Sequence, residues 1–115
     1  MGKGANDEGL PLERLDLETM GSGNQSLRLT ERVSWEGFPR YAEALVYSLG
    51  GTIVHRADSV VERVWTATVR GGTFWVSFDD FGLGVSLDPQ NAEAARLIPE
   101  IREALLAVRN ARRTG

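Results

Sequence analysis

His55 is the only histidine of this 115-residue chain, and cysteine is absent. General-base or nucleophilic chemistry would therefore have to run through one imidazole, oriented by a carboxylate such as Asp79 or Asp80. No serine stands in a G-x-S-x-G context to complete a triad. His55 alternates with Ile53 and Ala57 along a β-rich run, which predicts a partly buried imidazole held by hydrogen bonds. The missing cysteines also exclude thiol catalysis, a disulfide framework and zinc sites of the cysteine type.

Three further groupings invite a chemical reading. Asp79, Asp80 and Asp88 carry the oxygens that a hard cation wants, but their spacing matches no calcium loop, and acids beside a tight turn and a helix start have conformational reasons to be there. Asp80-Phe81-Gly82 spells the magnesium-binding tripeptide of protein kinases. The single lysine, Lys3, cannot supply the strand lysine such a site requires. The run RGGTFWVSF at 70–78 invites comparison with the aromatic strand of RNA-recognition domains, yet its register is off by one residue, and Gly71 and Thr73 fall where a base and an aromatic are needed. No catalytic residue, no metal-ligand set and no cofactor follow from these patterns.

Tryptophan is the more informative residue type. Trp35 and Trp65 alternate with the apolar sets of their strands and are expected in or near the core. Trp75 has the opposite parity to Phe74, Val76 and Phe78, so it leaves the strand on the other face. If both helices cover one sheet face, Trp75 shares the open face with Thr66, Thr68 and Thr73. That patch is the candidate partner-binding surface.

The elements that position these residues follow from periodicity. Leu27, Leu29, Val33 and Trp35 mark a first strand over 27–35, with a bulge expected at Glu31 and its pairing direction left open. Phe38, Ala42, Leu45 and Leu49 recur at helical spacing behind Pro39, and Gly50-Gly51 stops that helix. Strands are expected over 52–57, 60–70, 73–78 and 83–87, with Gly71-Gly72 as a two-residue hairpin turn. Asp88 and Pro89 read as N-cap and first residue of a last helix, whose stripe is Ala94, Leu97, Ile98, Ile101, Leu105 and Val108. Pro99 predicts a kink near Ala95 or two consecutive helices. The expected fold is α+β: a two-layer sandwich, with a mostly antiparallel sheet of about five strands, order β-α-β-β-β-β-α, and two helices on one face.

Lys3 and Arg14 oppose Asp7, Glu8, Glu13, Asp16 and Glu18, so residues 1–26 carry the whole net charge of −3 and the body is balanced. Residues 1–26, ending in the linker-like GSGNQS, read as a disordered acidic tail before a single domain at 27–115. Leu10, Leu12, Leu15 and Leu17 leave open a short docking segment within it. A neutral body has no general field for nucleic acid or anionic lipid. No apolar run is long enough to span a membrane and no leader is apparent, so a cytoplasmic address is expected. All basic residues but Lys3 are arginine, which suggests GC-rich codons and a bacterial source.

The run FWVSFDDFGLGVSLDP followed by a helix is similar in architecture to small bacterial domains, some toxin-immunity proteins among them. That likeness implies a non-enzymatic immunity or accessory role, with a protein partner or self-association, and carries over no functional residue. The alternative is a small enzyme or ligand-binding domain using His55 with Asp79 or Asp80.

Overall fold

The computed structural model describes residues 10–79 and 84–114. The elements are β1 (Asp16–Thr19), β2 (Gln25–Thr30), α1 (Phe38–Ser48), β3 (Thr52–Asp58), β4 (Glu62–Val69), β5 (Gly72–Asp79), β6 (Gly84–Pro89) and α2 (Ala92–Thr114). The strands form one open sheet in the order β1-β2-β6-β5-β4-β3, antiparallel throughout. Both helices lie on one face. The α+β sandwich is therefore as expected, with six strands where about five were anticipated.

Alternation decides which face is covered. Trp65, Ala67 and Val69 on β4, Phe74, Val76 and Phe78 on β5, Val85 and Leu87 on β6, and Leu27 and Leu29 on β2 are all buried. They pack against Phe38, Tyr41, Ala42 and Leu45 of α1 and Ala94, Ile98, Ile101 and Leu105 of α2. Phe38 meets Trp65 edge-on at 5.2 Å between ring centroids, and Trp35 meets Phe78 edge-on at 5.9 Å. Arginines close the rim of this core: Arg56 lies 4.8 Å over the Trp65 ring and Arg63 lies 4.3 Å over Trp35. The Trp65 indole N–H donates to Asp58 Oδ1 at 3.0 Å, so the polar end of the ring is satisfied at the edge.

The diglycine at 71–72 divides its labour. Val69 pairs with Gly72, so the two-residue turn is Arg70-Gly71, both at positive φ, +52° and +89°, and not Gly71-Gly72. Gly72 instead opens β5 beneath the first turn of α2. A Cβ there would lie 2.7 Å from Ala94 Cα, closer than packed atoms approach. Helix α2 is capped by Asn91, whose Oδ1 accepts from the Ala94 amide at 2.8 Å. Asp88 and Pro89 thus belong to β6 and not to the helix start, because the Phe74 to Pro89 register keeps them in the sheet. One continuous α2 runs through Pro99, which does not divide it in two.

The first strand ends earlier than expected, at Thr30, with its register shift against β6 between Arg28 and Thr30 instead of at Glu31. The Glu13 carboxylate seals that end, accepting from the Thr30 hydroxyl at 2.7 Å and the Glu31 amide at 2.7 Å. Burial opposes the Glu13 charge, but these donors outweigh it and hold its pKa below the usual carboxylate value.

Glu13 belongs to the segment expected as a tail, and that expectation changes for residues 10–26. Residues 1–9 lie outside the described residues. Leu10, Leu12 and Leu15 are buried, the latter two at 2% and 1% exposure. Three arginines on one side of α2 hold the segment by its main chain: Arg102 donates to the Leu15 carbonyl at 2.7 Å, Arg109 to Leu12 at 3.0 Å and Arg112 to Leu10 at 2.8 Å. The Tyr41 hydroxyl donates to the Pro11 carbonyl at 2.9 Å, and burial pushes its pKa upward. The segment continues into β1, and the linker-like glycines form the β1–β2 turn, where the Met20 amide donates to the Asn24 carbonyl at 2.7 Å. Composition made this stretch look unstructured. The carbonyls of Leu10, Pro11, Leu12 and Leu15 find their donors only through side chains 30 to 102 positions away.

Two stability predictions follow from this packing. Leu12→Ala should cost about 2–5 kcal/mol in chemical denaturation, as for other buried leucines; a change near zero would return the segment to the status of a tail. Gly72→Ala should destabilise by about 1–3 kcal/mol through overpacking against Ala94, and a neutral result would show that α2 can retreat from the sheet without loss.

Candidate functional site

The face of the sheet away from the helices is open, and its composition follows from the register. Along β5 the outward residues are Thr73, Trp75, Ser77 and Asp79. Opposite them on β4 stand Thr68, Thr66, Val64 and Glu62. On β6, Asp88 faces Trp75 and Ser86 faces Ser77. The pattern continues through Ser26 and Arg28 on β2 to Glu18 and Asp16 on β1. Hydroxyl residues and acids dominate, and Trp75 is the one aromatic among them.

Trp75 is 42% exposed, although it stands on a central strand. Its neighbours explain this. Thr66 and Asp88, directly across on either side, are too short to cover an indole. The expected patch of Trp75, Thr66, Thr68 and Thr73 does come together on one face: Thr66 pairs with Trp75, and Thr68 pairs with Thr73 one step along.

Beside Trp75, on the side away from Thr68 and Thr73, lies a shallow cleft of about 430 Å³. Ser26, Ser77, Ser86 and Val64 line it together with Glu18, Glu62, Asp79, Asp88 and Arg28. Asp88 organises this surface, because Ser26 Oγ donates to its Oδ1 at 2.6 Å and Ser77 Oγ to its Oδ2 at 2.8 Å. One carboxylate thereby ties β2, β6 and β5 together across the open face. Arg28 donates to Glu18 at 3.1 Å and lies 4.0 Å from Glu31.

Sequence reasoning missed these cleft residues for separate reasons. Ser77 and Ser86 were legible as outward positions of their strands. Asp88 was masked by Asp-Pro, which reads as a helix start. Glu18 and Ser26 lie in the stretch whose composition reads as a tail.

His55 is not brought together with Asp79. A register shift between Ile53 and His55 turns the imidazole out to face Thr66, so it is exposed and not partly buried as expected. Asp79 faces Glu62, four residues further along β4, which is about 13 Å at strand spacing, and it stands two strands across. That separation is beyond hydrogen-bond reach. Asp80, with the rest of the Asp80-Phe81-Gly82 tripeptide, lies outside the described residues. Among the described residues no three His, Asp or Glu side chains converge as metal ligands.

Residues 15–106 match the model of a family described as a protein of unknown function (DUF3630), and the chain belongs to that family. The match opens just ahead of β1, so the family's domain includes the strand formed by the expected tail. No curated protein and no solved structure matches the chain.

If Asp88 ties three strands, Asp88→Ala should cost about 1.5–3 kcal/mol, the range of hydrogen bonds to a charged group. Denaturant titration of the purified variant measures this. A loss well below that range would mean that water satisfies Ser26 and Ser77 equally well, and that the carboxylate does not hold the surface.

Proposed function

We propose that this member of the family is a non-enzymatic binding domain that takes a protein partner on the open sheet face, with Trp75 as its anchor. The observation that carries the reading is the 42% exposure of a tryptophan on a central strand. An indole left at a sheet centre, among short hydroxyl side chains, offers a large rigid contact area at little entropic cost. The surrounding hydroxyls and carboxylates form the polar rim that such an anchor needs. Among the described residues of this face, five carboxylates, Asp16, Glu18, Glu62, Asp79 and Asp88, outnumber two arginines, Arg28 and the Arg14 that pairs with Asp16, and this acidic balance repels phosphate and argues against nucleic acid as the partner. The separation of His55 from Asp79 lends the enzymatic alternative no support.

Among the described residues no helix is long and apolar enough to cross a membrane. A cytoplasmic, bacterial setting and an immunity or accessory role complete the proposal. They rest on the absence of cysteine, the arginine bias and the likeness of architecture.

Trp75→Ala is the direct test. Its folding cost should fall well below the about 3–5 kcal/mol of a buried tryptophan, while self-association in sedimentation, or binding to a purified partner, should be lost. A large folding loss, or association that survives the substitution, would overturn the reading.

A further inference from the structure

We infer that the partner segment is basic: an extended stretch whose arginine stacks on Trp75, with a second cation four residues away reaching Glu62. This deepens the open-face reading and rests on it.

The first observation concerns the other tryptophans. The chain covers two of its three indoles with its own arginines, Arg56 over Trp65 at 4.8 Å and Arg63 over Trp35 at 4.3 Å. Among the described residues no cation lies over Trp75. It is the one exposed indole, and the contact its counterparts make in cis is open for a partner to make. A guanidinium within about 6 Å of an indole face gains about 0.5–1 kcal/mol at exposed sites, and more as water is excluded.

The second observation is the charge around the ring. Asp88 is the direct cross-strand neighbour of Trp75 and supplies a counter-charge to a stacked cation. Further along β5, Glu62 and Asp79 face each other as direct cross-strand partners. The Glu62 carboxylate, outward on the same face, supplies the counter-charge for a second cation. Arg28 sits at the other side of the cleft with Glu18 and Glu31. The exposed His55 lies beside Thr66, one strand from Trp75.

Geometry sets the spacing. Trp75 and Asp79 are four residues apart on one face of one strand, about 13 Å. An extended ligand presents side chains on one face at every second residue, so two cations that distance apart are also four residues apart. The surface therefore suits Arg-x-x-x-Arg or Arg-x-x-x-Lys with small residues between, over a floor of Ser77, Ser86 and Val64.

The test uses the full chain and labelled peptides of about nine residues, long enough to span the cleft. One carries Arg-x-x-x-Arg in a Ser/Thr/Gly background; the others move the second arginine to adjacent spacing, replace both arginines by glutamate, or replace both by serine. Fluorescence anisotropy should rank the four-residue spacing tightest, with affinity falling as salt rises. Trp75→Ala should weaken that peptide about tenfold, with Trp75→Phe retaining part of the affinity. Glu62→Gln should weaken it only when the second arginine is present. Thermal midpoints of each variant confirm folding.

Absence of arginine-peptide binding at about 1 mM, or binding indifferent to Trp75, overturns the inference. Glutamate or serine peptides that bind equally well through Trp75 overturn the basic partner while leaving the open face as a binding surface. Association with a purified partner or a second copy that needs Trp75, together with failure of every arginine peptide, has the same meaning. Loss of the Trp75 effect in both kinds of experiment ends both readings.

Discussion

The close contact between Gly72 and the first turn of α2 is the constraint from which most of this structure can be traced. With no Cβ at Gly72, α2 settles directly on β5, and its stripe of Ala94, Ile98, Ile101 and Leu105 covers Phe74 and its inner neighbours. That seating also sets where the outer side of α2 lies. Arg102, Arg109 and Arg112 then hold the carbonyls of Leu15, Leu12 and Leu10, and the leading segment closes the core and feeds β1 into the sheet. A helix displaced by one methyl group would loosen the core and the segment together.

Covering one face completely leaves the other with none of the helical protection. The sheet solves this with short polar side chains and not with a second layer. Ser77, Ser86 and the threonines keep the face polar, and Asp88 ties three strands through the hydroxyls of Ser77 and the buried Ser26. The edges are managed as well: β1 is only four residues long, and β3 carries a register shift with His55, Arg56 and Asp58 along it. Against this background Trp75 is the exception. A face built otherwise of short side chains, mostly polar, keeps one large indole at its centre, and a stability argument alone gives no reason for it.

Within the chain, arginine acts through its plane and its several donors. It stacks on Trp65 and Trp35 to shield indoles at the rim, and it grips main-chain carbonyls to dock an extended segment. The planar, weakly hydrated guanidinium suits stacking on an indole better than a compact ammonium does.

Local pattern was enough wherever neighbours in sequence are neighbours in effect. Alternation along 73–79 put Phe74, Val76 and Phe78 inside and Trp75 outside; the 3.6-residue stripes of both helices gave their buried faces; turn chemistry gave the hairpin before β5. These follow from periods of two and 3.6, which a chain carries in any context. Tertiary structure alone decided the rest. Leu10, Leu12 and Leu15 looked like tail because their partners lie on α2 and in the sheet core. Gly72 looked like half a turn because Ala94, 22 positions on, is what forbids a Cβ there. Asp88 looked like a cap because Ser26, on a strand that pairs only in the fold, is what it binds. His55 looked half-buried until a register shift against β4 turned it outward. In each case the deciding group is distant in sequence, and local preference, worth a fraction of a kcal/mol per residue, yields to packing and hydrogen bonds worth about one or more.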